Sequence, residues 1–597
     1  MYRRISRLLL AMPVLAVTGA TVSVGSLSGP PSPSVTVFAD VTVISMNQPN
    51  VLRRYSVVVR GSRIVEVGPA SRVRIPAGAR VIAGRGRYLM PGLVDTHVHV
   101  HRESDLLLYV ANGVTTVRNM KGEPKHLVWR ERIRNGQMFG PTLLTAGPFI
   151  ERVFSAADVE RLAREQVENG YEFLKIHGDL SLGAYRRLIA TARVLGVPVI
   201  GHLPRNLSFD SVMATPPASI DHAEEFVYTV FANRVSDTSR LREVAERTRA
   251  ADVVVGPALV AYEHIARQVD SLPVLLAQPE AQFLPPIERL RWESVNNYYS
   301  RVMPRDAAGR LRANLQFQIA HVRALGAAGV RLMLGTDAGG PETIIPGVSA
   351  IRELELLVGS GLSPYEALRA ATVVPASSWR LAGEFGTVAA GARADLLLLD
   401  ADPSVDVTNV RRRVGVMVRG EWLPESDLAD RLRHVATKYR AEEIQADSLR
   451  QAGLDATVAG RRSPWFAGLD RDAQRFVDYQ IAESYRRVLE TENEGALVEA
   501  YQRVAGNVAN DPPFPQDAMI DLGYRYLWSK KPDAAVAILK LVAKAYPDEY
   551  GAHSALGEAF LIAKDSTAAR AELERALALK PGDQVAAMLL RGLSRTK

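Results

Sequence analysis

Eight short apolar segments run through the middle of this chain, at 93–99, 114–118, 142–146, 172–176, 197–202, 219–222, 252–256 and 331–336, and amphipathic helical patterns fill the intervals between them. Short runs apolar on both faces and joined by helical crossovers demand a parallel sheet wrapped by helices. Eight such units in about 280 residues match the size of a closed (β/α)8 TIM barrel, an α/β fold expected here over 92–380. In that architecture the chemistry gathers where the strands end, on the C-terminal rim.

The flanks have a different texture. Residues 35–91 alternate in short β-rich runs (41–44, 56–59, 64–67) broken by Gly61 and Gly68, and the same character returns in 381–424, with runs at 395–400 and 414–418 followed by Gly420 and Trp422. Two β fragments around one large insert suggest a single split β-sandwich. Beyond 424 helix formers take over: 425–480 reads as a helical connector and 481–597 carries a repeat. Leu522, Gly523, Tyr526, Ala535, Leu539 and Pro547 recur as Leu556, Gly557, Phe560, Ala569, Leu573 and Pro581, each displaced by 34 residues, with Pro513 as the trace of an earlier copy. The period resembles the tetratricopeptide repeat and implies an all-α tail, either a packing module or a surface for a protein partner or self-association.

At the start, Arg3, Arg4 and Arg7 precede the apolar run 8–17 and the small residues Thr18, Gly19 and Ala20, the pattern of a secretory signal peptide over 1–20. A Gly/Pro/Ser-rich linker follows within 21–34. The expectation is an exported protein, periplasmic or secreted, with an uncleaved N-terminal membrane anchor as the alternative. Cysteine is absent, which excludes disulfides and thiolate chemistry and leaves His, carboxylate and modified Lys as metal donors. The formal charge of +8 comes without a dense basic run interleaved with aromatics, so nucleic acid is not expected as a partner.

His97 and His99 stand at the end of the first barrel strand, in Pro-Gly-Leu-Val-Asp-Thr-His-Val-His. Alternation along a strand puts both rings on one face, where they can converge on one cation. Lys175, His202, His222 and Asp337 fall at the ends of the fourth, fifth, sixth and eighth strands. The chain has only 11 His, and four of them landing on the rim mark a metal site rather than scattered structural polar groups.

These motifs, continued by Ser349, Arg352 and Glu353, by 361–368 and by Ala394-Asp395-Leu396, resemble the amidohydrolase superfamily, in the group similar to imidazolonepropionase and to Xaa-Pro or Xaa-Arg dipeptidases. The resemblance covers about 35–424 and implies a metal-dependent hydrolase. In it His97, His99 and Asp337 hold the more buried of two divalent metal ions, with Zn2+ as the expected metal. Lys175, carboxylated by CO2, bridges to a second ion held by His202 and His222. An ammonium has no lone pair for a cation, and a free pKa of about 10.4 keeps lysine charged, so only the modified amine can serve. Asp337 is then the catalytic proton shuttle, taking the proton of a shared hydroxide that attacks the substrate carbonyl and passing it to the leaving amine. His101 and His177 are further candidates for contact with substrate or ligands. Tyr262, Tyr298 and Tyr299, in the long segment 257–329, are candidate pocket aromatics on an active-site cover.

Deaminases of the superfamily resemble a one-metal layout with a glutamate three residues after the fifth-strand histidine. Here that position is Arg205, and Lys175 is present, which favours hydrolysis over deamination. After the fifth strand the chain reads Gly-His-Leu-Pro-Arg-Asn in place of the family's usual His-Ala-His. The expected substrate is a small N-acyl amino acid, dipeptide or cyclic amide. An ester or lactone would use the same machinery, and an inactive scaffold whose repeat tail binds a protein is the alternative outside enzymes.

Overall fold

The structure, a computed structural model, describes residues 35–293, 297–304, 306–505 and 512–595; the expected signal peptide and linker lie outside them. The chain divides into two compact units, one reaching to Ile444 and one running from Gln445 onward. The boundary falls inside the long helix Glu425–Gln451, so the expected connector is shared between the units.

In the first unit both β fragments join one eight-stranded sheet, in the order Glu421–Pro424, Arg413–Val418, Leu396–Leu399, Tyr88–Pro91, Val35–Val43, Leu52–Arg60, Arg63–Pro69, with Arg80–Ala83 paired to Val35–Val43 in parallel. The seam between the fragments is antiparallel, with Leu397 opposite Met90 and Leu398 opposite Leu89. Within Val35–Val43 the register slips between Phe38 and Val41, where Asp40 has φ 56°. That bulge lets one edge of the strand serve Arg80–Ala83 first and Tyr88–Pro91 next. Phe38 meets Trp422 edge-on at 5.3 Å in the apolar layer that covers this sheet.

The parallel strands form three separate ladders: Leu93–Val98 with Val114–Asn119 and Thr142–Thr145, Leu174–Ile176 with Val199–Gly201, and Ser219–Asp221 with Val254–Gly256. One continuous closed sheet, the sequence expectation, is not formed. Between ladders the backbone is joined by single bridges or bonds, Ala146 to Phe173, Ala218 N to Val199 O at 2.8 Å, and Val255 to Leu332. The eighth expected strand, 331–336, makes no ladder, although Met333 N donates to Val255 O and Thr96 N to Leu334 O, both at 2.9 Å. The interruptions have local causes. Pro198 brings no N–H to the fifth strand, and Gly201, His222 and Asp337 turn the backbone to φ 113°, 73° and 58° where their strands end.

The covering helices follow from their sequences. In Leu182–Leu195 the Ser181 hydroxyl accepts from Ala184 N at 3.1 Å, Gly196 ends the helix at φ 74°, and Ala184, Tyr185, Leu188, Ile189 and Ala192 bury one stripe. The segment 257–329 carries helices Leu259–Asp270 and Ala307–Ala327 with, among the described residues, three short α-helices between them. Its first turn is pinned by the buried Glu353 carboxylate, which accepts from Leu259 N at 3.1 Å and Val260 N at 2.7 Å.

In the second unit the helix pair Gln516–Trp528 and Pro532–Ala545 returns as Tyr550–Ile562 and Ser566–Leu579, every boundary displaced by the same 34 residues. The repeat has a packing cause. A Cβ on Gly523 would come within 2.6 Å of Leu539, and one on Gly557 within 2.7 Å of Leu573, so glycine is what lets the two helices of each pair approach.

Candidate metal centre

The ends of the parallel strands are locked before any ligand is considered. The buried Asp95 carboxylate accepts from His97 N at 3.2 Å and Thr336 N at 3.1 Å, and from the Thr336 hydroxyl at 2.6 Å. It thereby ties the strand carrying His97 and His99 to the segment carrying Asp337, and burial pushes its carboxyl up to about 7. Asp337 N donates to His97 O and His222 N to Gly256 O, each at 2.7 Å. Those bonds hold two non-glycine residues at positive φ, conformations that cost about 1–3 kcal/mol and persist only where the surroundings impose them. Gly201 is required for a neighbouring reason: a Cβ there would lie 2.8 Å from Lys175 Cδ, so the lysine side chain passes over bare backbone.

Around this frame the six predicted ligands come together. One ligand atom each of His97, His222 and Asp337 lie within 4.8 Å of one another. Asp337 Oδ1 is 3.0 Å from His99 Nε2 and 3.3 Å from His97 Nε2, and Lys175 Nζ is 3.3 Å from the same His97 nitrogen. The His222 ring centroid is 4.5 Å from that of His97 and 4.8 Å from that of His202. Lys175 is fully buried.

Burial, reinforced by the Lys175 charge, drives His97 well below the usual imidazole range and His202 down to about 4; burial likewise takes His222 to about 3 and lowers His99. Burial also lowers Lys175 to about 8. For Asp337 burial acts the other way, and its close contacts with His97 and His99 outweigh it, holding the carboxyl well below its ordinary value. His97, His222 and Asp337, the three groups that meet, are thus two neutral imidazoles and a carboxylate, the protonation states that ligate a divalent ion. Among the described residues His97 Nδ1 is buried without a hydrogen-bond partner. Together these features fit a divalent metal.

A residue that sequence reading missed completes the arrangement. Glu225, fully buried, accepts from His202 Nδ1 at 2.8 Å and from Arg205 at 2.8 and 3.4 Å. Burial opposes its ionisation, but His202 and Arg205 pull its carboxyl down to about 2. Its position three residues after His222 was the available signal. Arg205, read from the sequence only as the missing deaminase glutamate, is thus a partner of Glu225. The preceding Glu224 is half-buried and pushed up to about 8 by burial and by Glu225.

The two subsidiary histidines lie at the edge. His101 bonds through Nε2 to Gly339 O at 2.7 Å and so braces the loop after Asp337. His177 is 40% exposed, stacks on Phe149 at 4.0 Å, bonds Glu151 through Nδ1 at 3.1 Å, and meets the His202 ring at 4.7 Å. Of the three candidate tyrosines, Tyr262 is buried, Tyr299 half-buried and Tyr298 52% exposed.

Parallel ladders and the segment 331–336 that bring His97, His222 and Asp337 together define a β/α protein with a candidate metal site. The chain belongs to the amidohydrolase family, whose profile matches residues 88–423. The imidazolonepropionase of Rubrobacter xylanophilus is 27% identical over 384 residues, covering 58% of this chain and 84% of that protein. The adenine deaminase of the same organism is 22% identical over 388 residues, 62% of this chain, and the chain spans only 55% of that relative's length. Among solved structures, bottromycin amidohydrolase shares 26% identity with a TM-score of 0.57, over 68% of this chain and 91% of that one.

Proposed function

We propose that this protein is a metal-dependent hydrolase that cleaves an amide C–N bond in a small N-acyl amino acid, dipeptide or cyclic amide. The observation that carries the reading is the convergence of His97, His222 and Asp337, with His99 bonded to Asp337 and Lys175 to His97. Two divalent ions held by these residues, with Zn2+ the expected metal, would polarise a substrate carbonyl and lower the pKa of a bound water.

The chain's own groups do the rest. His97, His99, His202 and His222, kept neutral by burial, offer lone pairs without charge repulsion. Lys175, lowered to about 8, has free amine available near neutral pH to form an N–C bond to CO2 with loss of a proton, which supports a carboxylated lysine as bridging anion. Asp337, ionised and beside both first-strand histidines, is placed to accept a proton on its carboxylate and return it to the leaving nitrogen. Glu225 is unsuited to that role because His202 and Arg205 already occupy it. The same proposal takes the three parallel ladders as parts of a (β/α)8 barrel, the 34-residue helical pairs as tetratricopeptide-like and able to bind a protein partner, and 1–20 as an export signal.

The test is metal-supplemented expression of the full chain, elemental analysis, and a panel of N-acyl amino acids, dipeptides and cyclic amides with matched esters and lactones. About two transition-metal ions per chain and chelator-sensitive amide turnover are expected. Failure to bind metal, or turnover of esters and lactones alone, overturns the amide reading.

A further inference from the structure

A cavity of about 480 Å³ lies at the opposite ends of the parallel strands from the metal ligands, within the roughly 300–1,000 Å³ typical of small-molecule sites. It is lined by Val199, Ala218 and Asp252, which open or precede the strands Val199–Gly201, Ser219–Asp221 and Val254–Gly256. His202 and His222 directly follow the first two of those strands, and three residues of strand span about 10 Å. The cavity is therefore separate from the metal centre.

Ser378, Trp379 and Arg380 line it from the turn that ends the short helix Val373–Ser378. Bonds from Arg380 N to Ser377 O at 3.2 Å and from Leu381 N to Ala376 O at 2.8 Å wind Arg380 into the left-handed region at φ 61°. Glycine is the usual residue at that position of a helix end, because a side chain is disfavoured there. This chain places an arginine in it.

The wall has donors to spare. Val197 N and Ala218 N are already used, by Ala192 O at 3.1 Å and Val199 O at 2.8 Å. Asp252, the acid among the lining residues, accepts from Arg331 at 2.9 Å. The Trp379 indole N–H and the Ser378 hydroxyl, by contrast, are buried with no hydrogen-bond partner among the described residues. Arg193 and Arg380 are exposed and make no ion pair among those residues. A buried donor left unpaired costs free energy that an incoming acceptor returns, and the guanidinium fork suits an oxyanion. Ile189, Ala192 and Pro217 add apolar surface beside these groups.

We propose that this cavity binds a small oxyanion, a carboxylate or phosphate monoester, that carries an apolar body. The anion is held by Arg193 and Arg380, and the body packs on the apolar wall. The site stands whether or not the metal centre cleaves an amide.

Isothermal titration calorimetry on metal-loaded full-length protein, repeated after chelation, is the test. Phenylacetate and phenyl phosphate are compared with 2-phenylethanol, which keeps the body without the charge, and with acetate, which keeps the charge without the body. At least one apolar anion should bind as a single molecule per chain, about tenfold or more tighter than both controls. A preference for phenylacetate identifies a carboxylate ligand, and a preference for phenyl phosphate a phosphate monoester. Arg193→Gln and Arg380→Asn should each weaken that binding by about tenfold in protein whose circular dichroism and metal content match the wild type. Asparagine is chosen because it tolerates the left-handed region. Absence of saturable binding, or affinity matched by 2-phenylethanol or acetate, overturns the site. So does binding that outlasts both arginine variants, or that chelation abolishes, since the anion would then be held elsewhere or by the metal.

Discussion

His202 donates from Nδ1 to Glu225 at 2.8 Å, and that carboxylate sits three residues after His222, so two neighbouring candidate ligands are tied together by one side chain. The bond fixes the His202 tautomer and leaves Nε2 as the nitrogen with a lone pair. Glu225→Gln weakens this orientation, and affinity for the ion that His202 helps to hold should fall about 10- to 100-fold. Competition against a chromophoric chelator measures it, and an unchanged dissociation constant would remove the orienting role.

Asp337 is ionised, half-buried and bonded to two imidazoles. Asp337→Asn keeps its shape and abolishes its capacity to carry a proton, so turnover should drop by about 10²-fold or more while the chain still folds. The check combines initial rates with a circular-dichroism melt. Substantial residual turnover in a folded variant would assign the proton transfer to another group.

Lys175→Met replaces a fully buried amine with an apolar chain of similar length. With no amine there is no bridging anion, and metal content should fall to about one ion per chain or below. Elemental analysis decides the point; two ions retained by the variant would show that Lys175 contributes no ligand.

The sequence made the strand ends legible because short apolar runs have few alternatives to a parallel sheet, and because His97, His99, Lys175, His202, His222 and Asp337 all fall where those runs stop. Two things were hidden. Glu225 looks like an ordinary acidic residue in a short helix until the sixth strand is laid beside the fifth, and its bond to His202 spans 23 residues of chain. Continuity of the parallel sheet was hidden as well, since apolar pattern reports burial and says nothing of whether neighbouring strands pair, and 331–336 is largely apolar and buried yet joins no ladder. The 34-residue repeat was plain because a glycine that must admit a leucine of the paired helix leaves the same mark at Gly523 and Gly557.

His321 is 1% exposed, lies among Phe226, Phe231 and other apolar side chains, and neither ring nitrogen has a hydrogen-bond partner among the described residues. Burial lowers it to about 3, whereas the unfolded chain would titrate near 6.5. Between those values the unfolded state binds a proton that the folded state refuses. Stability is therefore lost as pH falls below about 6.5, at up to about 1.4 kcal/mol per pH unit, until about pH 3. His321→Leu should flatten the acid limb of the stability-versus-pH curve by that slope, and superimposable limbs would refute the assignment.

Beneath the metal centre Arg118 and Asp221 form an ion pair at 3.0 Å with both side chains wholly inaccessible. Arg118 also donates to Thr96 O at 2.6 Å and is flanked by Phe173 at 5.3 Å and Trp379 at 5.4 Å. Burial lowers the guanidinium and the Asp221 charge opposes that shift in part. The pair links the second strand to the sixth, which lie in different ladders, and Asp221 directly precedes His222. Removing one partner strands the other in a dry interior: Asp221→Ala or Arg118→Ala should each destabilise the first unit by about 3–5 kcal/mol. Arg118→Met combined with Asp221→Leu removes both charges and fills the space, so it should regain most of that loss while metal affinity stays impaired through the altered approach to His222. A double-mutant cycle by urea unfolding, with metal binding measured on the same proteins, separates the two effects. Single losses that simply add would mean the ions do not support each other, and full metal affinity in the double variant would mean the pair plays no part in aiming His222.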